Sequence, residues 1–466
     1  MNDVHGHYVP YQEKGFEGLI GGFGKAATLM AGIRARNSAE KRETLTFLSG
    51  DLLMGTPFST AFKGKLGVEL MNEMAFTTMA AGNHEFDYGQ DNLLAELKPL
   101  MKFPLLSANI KTDDGRYLFD RLIVKQFPGS NTRVVIFGLT TPETPVTTHP
   151  KNVKGLIFED PIKTAQELLK DFDEKDLIIA VTHLGKDDDE QLARGCPKID
   201  VIVGGHTHTS ILQPIRVGDT LICQAGAYAK YLGRLDIDAE DGKIVKYHGE
   251  LMLLSSDVKR DEKIEAIIAD HAARMDARLK EVIGKTEVFL EGTRSVIRSG
   301  KETDLGRLVT HIMTANAKSD AAVINGGAIR GGLLVGEITL GDVYTVLPFP
   351  STVVRMDLPG KDLESVLQRS IDLEEGSGGK LQTFGLEFKV TSGKVKIEKI
   401  GGQPFDRSKT YSLATNDFLA AGGDGYSMLK EKGTNLMDTG QVVSDLIIDF
   451  IRDKKVLTRG ILDSLQ

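Results

Sequence analysis

Cysteine is nearly absent. Cys196 and Cys223 are the only two in 466 residues. That excludes a disulfide scaffold and any four-cysteine zinc module, and leaves room for at most one bridge. No run of about 18 apolar residues occurs, which excludes a membrane-spanning helix. Positive charge is not in excess: 57 Lys+Arg against 65 Asp+Glu gives a net charge of −8. A general nucleic-acid binder would carry a basic face, so that class is disfavoured, whereas a local positive pocket for a small anion stays compatible. Internal repeats and low-complexity segments are missing too. What is present is ordinary for a folded protein, with 41% hydrophobic and 26% charged residues. Glycine is abundant, at 50 residues, and implies many turns or close backbone approaches. The length exceeds the ~250–300 residues that one core serves, which predicts two domains.

The first half alternates short apolar runs, at 44–48, 77–81, 104–108, 134–139, 177–181, 199–203 and 220–223, with helical periodicity such as that over 161–169. This alternation predicts an α/β fold with buried strands. A hairpin is expected over 235–245, turned at Asp241-Gly242. Ile264, Ile267, Ile268, Met275, Leu279, Val282 and Ile283 recur at helical spacing. They predict one amphipathic helix over 257–283, stopped at Gly284, as a connector or as a surface helix of either block. The second block mixes helices (304–317, 360–370) with short strands (321–324, 352–358, 386–390, 411–414) and a loop over 374–379. The domain division expected is 1–255, a connecting helix over 256–284, and 285–466.

Five short signals in the first block place a hard metal ligand or a catalytic acid at an expected strand end, where open α/β sheets bind ligands. They are Asp3-Val4-His5, Gly50-Asp51, Gly82-Asn83-His84-Glu85-Phe86-Asp87, Thr182-His183 and Gly204-Gly205-His206-Thr207-His208. Each alone reads as a turn, a frayed end or a satisfied polar residue. Together they hold five of the ten histidines. The other five, His7, His149, His248, His271 and His311, need no special role, although His7 adjoins the first signal.

The ordered set D-x-H, G-D, G-N-H-E, H and G-H-x-H resembles the calcineurin-like metallophosphoesterase superfamily. The resemblance implies an N-terminal αββα sandwich and a two-metal site. In it Asp3, His5 and His208 hold one ion, Asn83, His183 and His206 hold the other, and Asp51 bridges both. Two cations ~3.5–4 Å apart clamp a phosphoryl group and acidify a water. Nitrogen and oxygen ligands without thiolate suit two divalent ions among Mn, Zn, Fe and Co and do not choose between them. His84 matches the family's catalytic histidine, and Asp87 the residue that orients it; a helix or turn cap is the plainer role for Asp87.

The second block resembles the 5′-nucleotidase family, including bacterial UDP-sugar hydrolases, and with it the likeness covers essentially the whole chain. The segments are Asn325-Gly326-Gly327-Ala328-Ile329-Arg330, Pro348-Phe349, and Asn416-Asp417-Phe418-Leu419-Ala420-Ala421-Gly422-Gly423-Asp424-Gly425-Tyr426, with Arg294 and Arg298 ahead of Leu305-Gly306-Arg307-Leu308. The resemblance implies a smaller mixed α/β substrate-binding domain. Phe349 and Phe418 would sandwich a nucleobase, Asp424 would accept from ribose hydroxyls, and Asn325 would touch the nucleoside or phosphate edge. Arg294, Arg298 and Arg330 would fork onto phosphate oxygens. Singly, these residues read as core aromatics, a plain turn and solvated arginines. Two departures stand out: Ala328 replaces the family's third glycine, and Pro350-Ser351 follow Phe349 where Gly-Asn is common.

The expected activity is hydrolysis of nucleoside 5′-monophosphates, and of UDP-sugars by extension. The alternatives are 2′,3′-cyclic nucleotide phosphodiesterase, a non-nucleotide hydrolase like the thiosulfohydrolases, and a non-catalytic nucleotide-binding protein. The expected partner is a small nucleotide substrate, with no nucleic acid and no membrane span. In the family that the chain resembles, an apolar strand precedes D-x-H, a typical strand needs ~5–6 residues, and most bacterial relatives are exported, whereas here only Met1 and Asn2 precede Asp3. The resemblance therefore implies a late start and a periplasmic or extracellular protein, with the cytoplasm as the alternative.

Overall fold

The computed structural model describes residues 1–13, 15–127, 133–148, 150–275, 277–349 and 351–465. His149 and Pro350, singled out above, lie outside the described residues. The chain divides into two compact units, Met1–Met275 and Asp276–Gln466.

The first unit packs two sheets face to face. Phe47–Ser49, Thr78–Ala80 and Leu105–Leu106 form a short parallel sheet. The larger sheet runs in the order Ile215–Val217, Thr220–Cys223, Val201–Val203, Leu177–His183, Arg133–Thr140, Leu122–Gln126; its four central strands are parallel and its two edges antiparallel. Parallel strands are covered on both faces, so they read as unbroken apolar runs. Alternation then sorts the side chains. Val134, Ile136, Leu177, Ile179 and Val181 meet Ala80 and Leu106 between the sheets. Val135, Phe137, Leu139, Ile178 and Ala180 face Ala165, Leu168 and Leu192 on the outer helices Pro161–Leu168 and Lys186–Gly195. Gly138 marks the closest approach of the sheets: a Cβ there would lie 2.5 Å from the Leu106 carbonyl oxygen.

The hairpin pairs Tyr231–Glu240 with Lys243–Leu253, and Asp241 and Gly242 both take positive φ, at 49° and 79°. That is the primed turn which an Asp-Gly pair favours.

The helix expected over 257–283 is shorter. It spans Glu262–Arg274, capped by the Asp261 side chain on the amides of Lys263 and Ile264. It packs on the first unit through buried Ile264 and Ile268 and through His271, which pairs with Glu69 at 2.8 Å. Beyond it, Val282–Thr286 forms a strand, antiparallel to Gly336–Thr339 and parallel to Val456–Leu457. Helical spacing and a half-buried strand both fit Val282-Ile283. Burial of Ile283 with Leu290 and Ile451 in the second unit's core decides for the strand.

The second unit carries a five-stranded sheet, ordered Leu381–Phe384, Ala321–Asn325, Thr410–Asn416, Thr352–Pro359, Thr434–Val442. Ala322 and Ile324 bury one face beneath the helices Asp304–Ala317 and Val443–Lys454, and Ala321 and Val323 the other beneath Gly360–Asp372. Cys196 and Cys223 are free thiols. Among the described residues no helix is long and apolar enough to cross a membrane.

Substituting Gly138→Ala forces the sheets apart where backbone meets backbone. We expect a loss of about 1–3 kcal/mol in stability, read as a lower denaturation midpoint, with metal content kept at a permissive temperature.

Candidate metal centre

The site is assembled where strands end and the chain turns sharply. Met1 to Asp3 run beside Phe47–Ser49: the Ser49 amide donates to the Met1 carbonyl at 3.0 Å, and the Asp3 amide to the Gly50 carbonyl at 3.0 Å. That pairing delivers Asp3 and His5 to the tips of the strands that end in Ser49 and His183. Asp51, Asn83, His183 and the loop from Gly204 to His208 arrive from neighbouring strands in the same way.

Two donor clusters result, and in each the ligand atoms lie within 4.8 Å of one another: Asp3 with His5 and His208, and Asp51 with His183 and His206. In the first, His208 Nε2 stands 3.2 Å from Asp3 Oδ1 and 3.2 Å from His5 Nε2. In the second, His183 Nε2 stands 3.1 Å from Asp51 Oδ2 and 3.2 Å from Asn83 Oδ1. Asp51 Oδ2 is also 3.6 Å from His5 Nε2, so one carboxylate oxygen borders both clusters. All seven residues expected as ligands are therefore brought together. Their chemistry fits divalent cations, because imidazole nitrogens and carboxylate oxygens converge with their lone pairs on shared points.

The second ring nitrogens are anchored. His5 Nδ1 donates to the Leu53 carbonyl at 3.1 Å and His183 Nδ1 to the Ser49 carbonyl at 2.8 Å, which leaves Nε2 of each facing its donor cluster. Burial alone would raise the Asp51 pKa, but His183, His84 and His5 hold it well below the ordinary carboxylate value. His183 is buried, which opposes its charge, yet the Asp51 carboxylate drives its pKa up to about 10.

His84 and Asp87 form a pair beside the clusters. His84 Nδ1 contacts Asp87 Oδ2 at 2.5 Å, and the His84 amide donates to Asp51 Oδ1 at 3.0 Å. Asp87 is itself held, accepting from the Thr148 hydroxyl at 2.6 Å.

Several residues that order the site carry no role in the sequence reading. Glu85 is buried, and its carboxylate accepts from the amides of Asp51 and Leu52 at 2.8 Å and of Gly82 at 2.7 Å. It staples the two ligand loops together. Burial pushes its pKa up to about 7, against the pull of those amides. Its signal stood inside Gly-Asn-His-Glu and was readable. Asn2 and Gln224 gave no signal. Asn2 bridges Asp3 to the Gly226 carbonyl, and Gln224 holds the Gly205 carbonyl at 3.0 Å and the Thr209 amide at 2.5 Å. Gly205 must be glycine, because a Cβ there would collide with the Ser49 carbonyl oxygen.

In the second unit, the residues expected to bind substrate fall into linked sets. Asn416 donates to Asn325 at 3.1 Å, and Asn325 donates to Asp424 Oδ2 at 2.8 Å. The Phe418 ring lies against Gly423, next to Asp424. Arg298 is buried against Gly378 of the 374–379 loop, and its carbonyl accepts from the Gly376 amide at 3.1 Å. The Arg330 guanidinium sits 5.9 Å from the Phe349 ring centre. Arg294 opens the short helix Arg294–Ile297. Ala328 ends the turn Gly326–Ala328 without a positive φ, so the missing glycine there costs the backbone nothing.

Comparison with known proteins agrees with this geometry. The family described as calcineurin-like phosphoesterase matches residues 1–210, and that described as 5′-nucleotidase, C-terminal domain, matches 282–431. The chain is similar to a 5′-nucleotidase of Vibrio vulnificus, at 30% identity over 97% of this chain and 89% of that protein. It is 33% identical to the trifunctional nucleotide phosphoesterase protein YfkN of Bacillus subtilis over 84% of this chain, and spans 30% of that protein's length. Among solved structures, a 5′-nucleotidase precursor from Thermus thermophilus superposes with a TM-score of 0.86, at 31% identity, covering 98% of this chain and 96% of that one.

Glu85→Gln replaces an oxygen that serves two amides with an NH2 group that opposes them. We expect about 1–3 kcal/mol lost stability together with reduced metal uptake, measured by denaturation and by metal analysis of the same preparation.

Proposed function

The chain belongs to the 5′-nucleotidase family of calcineurin-like, metal-dependent phosphohydrolases, and from that premise we propose that it hydrolyses the phosphate ester of nucleoside 5′-monophosphates. The observation that carries the reading is Asp51, whose Oδ2 lies 3.1 Å from His183 and 3.6 Å from His5 and so joins two donor clusters into one centre. In this reading residues 1–255 supply the phosphoryl chemistry and 285–466 recognise the nucleoside.

Asp3, His5 and His208 would hold one divalent ion, Asn83, His183 and His206 a second, with Asp51 shared; Mn, Zn, Fe and Co all suit this donor set. Bound there, such a pair supplies Lewis acidity and neutralises the charge that builds on the phosphoryl group. The protein's own residues do the rest. Asp87 fixes the His84 tautomer by accepting from Nδ1, which assigns Nε2 to the reacting oxygens. His84 then stabilises the developing charge or passes a proton to the departing ribose oxygen. In the second unit, Phe418 and Phe349 offer faces for a base, and stacking tolerates many bases at ~1–3 kcal/mol each. Asp424 accepts from ribose hydroxyls, and Arg294, Arg298 and Arg330 suit phosphate oxygens by the geometry of the guanidinium fork.

Three measurements test this. His84→Ala is expected to keep two equivalents of metal while kcat on AMP falls by about 10²–10⁴; unchanged turnover removes His84 from the mechanism. Phe418→Ala is expected to raise KM for AMP by about tenfold or more while leaving p-nitrophenyl phosphate unaffected. Equal effects on both substrates would count against stacking. Product analysis over AMP, UMP, UDP-glucose and cyclic nucleotides, before and after chelation, fixes the substrate class: inorganic phosphate from the monophosphates, UMP with glucose 1-phosphate from UDP-glucose, and a nucleoside monophosphate from a cyclic nucleotide.

A further inference from the structure

Tyr228 belongs to none of the motifs above. It lies in the loop after the strand Thr220–Cys223, and both Tyr228 and Ala229 hold left-handed backbone, at φ 60° and 50°. Side chains with a Cβ avoid that region, and two in succession persist only where the surroundings impose them. Here the surroundings are the site itself. The Tyr228 amide donates to the Asp3 carbonyl at 2.8 Å, and Asn2 accepts from the Ala225 amide at 2.8 Å while donating to the Gly226 carbonyl at 2.6 Å.

The imposed turn aims a half-buried aromatic ring at the first donor cluster. Its centroid lies 5.3 Å from the His208 ring, edge to face at 88°, and 5.8 Å from the His5 ring. It also meets the His7 ring, at 4.5 Å. His5 and His208 face each other across 3.2 Å between their Nε2 atoms, so a small rotation of either ring spoils their convergence. A rigid ring packed against both removes that rotation.

We propose that Tyr228 is a positioning residue for the first metal site: its ring fixes the orientation of His208 and, together with the Leu53 carbonyl that holds His5 Nδ1, that of His5, and so sets the affinity of that site, without touching the ion. The proposal rests on reading the two clusters as metal sites. Residues that orient ligands from outside typically change metal affinity about 10–100-fold when removed. The second cluster, where His183 is anchored on the Ser49 carbonyl, should not respond.

The test is calorimetric titration of the chelator-stripped full chain with MnCl2. Tyr228→Gly is the informative variant, because glycine keeps φ near 60° at no steric cost while the ring is lost. In a His206→Ala background, which leaves the first cluster intact, Tyr228→Gly is expected to weaken the remaining equivalent by about 10–100-fold. In a His208→Ala background, which leaves the second, it should change nothing, and Tyr228→Phe should retain wild-type affinity in both. The apo melting temperature of Tyr228→Gly is expected at or above that of the wild type, which a purely structural role would lower. Undiminished affinity in the first background, equal weakening in both, or loss with Phe overturns the proposal alone. A wild type that takes up none of manganese, zinc, iron and cobalt overturns the metal reading, and this proposal with it.

Discussion

Asp3 and Asp51 are carboxylates with 0% and 1% of their surface exposed, set among imidazoles in the first unit's interior. Removing such charges from water costs on the order of several kcal/mol per ion unless each is met by partners. Everything else about the site follows from how that demand is satisfied. Asp3 accepts the backbone amide of His206 and the side-chain amide of Asn2. Asp51 accepts the amide of His84 and faces His183 and His5. Asp3 thus belongs to one donor cluster while its hydrogen bonds hold a loop of the other. The two clusters form a single electrostatic object, and a divalent pair would complete the neutralisation that the protein's own donors begin.

The backbone is strained to meet that demand. Asp3, His5, Asp51, Met54, His206, His208, Tyr228 and Ala229 all adopt positive φ without being glycine. Each such residue costs roughly 1–3 kcal/mol, and five of the eight are proposed ligands. The parallel strands beneath supply the means. Leu177–His183 is buried along its whole length, and a rigid strand end can hold a tight turn that a free loop would relax. Glu85 and Gln224 do the same work sideways, collecting amides and carbonyls from loops that would otherwise separate.

The strands and the residues that converge in the two donor clusters were legible in the sequence for one reason: both are local. An unbroken apolar run such as 177–181 marks a parallel strand, and a histidine or aspartate just past it marks the strand's open end. The helix Phe23–Ala39 was not legible, since its small and polar residues make no apolar stripe; its burial comes from neighbours distant in sequence. The misjudged end of the helix Glu262–Arg274 has the same origin, because Val282-Ile283 take strand geometry only once Gly336–Thr339 and Val456–Leu457 lie beside them. Asn2, Gln224 and Tyr228 escaped for a further reason. What distinguishes them is a hydrogen bond or a ring contact to a donor-cluster residue or to the loop that carries one, and residue type and spacing encode neither.

The second unit solves a different problem by the opposite means. Where the first concentrates charge, the proposed nucleoside site uses neutral amides to orient a single acid. Asn416 holds Asn325, and Asn325 holds Asp424, whose φ of 53° is stabilised between the glycines of its turn. Asn325, itself held by Asn416, orients the Asp424 carboxylate, so the ordering cost of binding the proposed ribose would be lowered in advance. Phe418 is seated in the same way by its contact with Gly423. Under the proposed reading, a base stacked on a flat ring and a ribose met by a preset carboxylate would leave the purine or pyrimidine edge largely unread, and such a site would select for the nucleoside as a class and tolerate the choice of base.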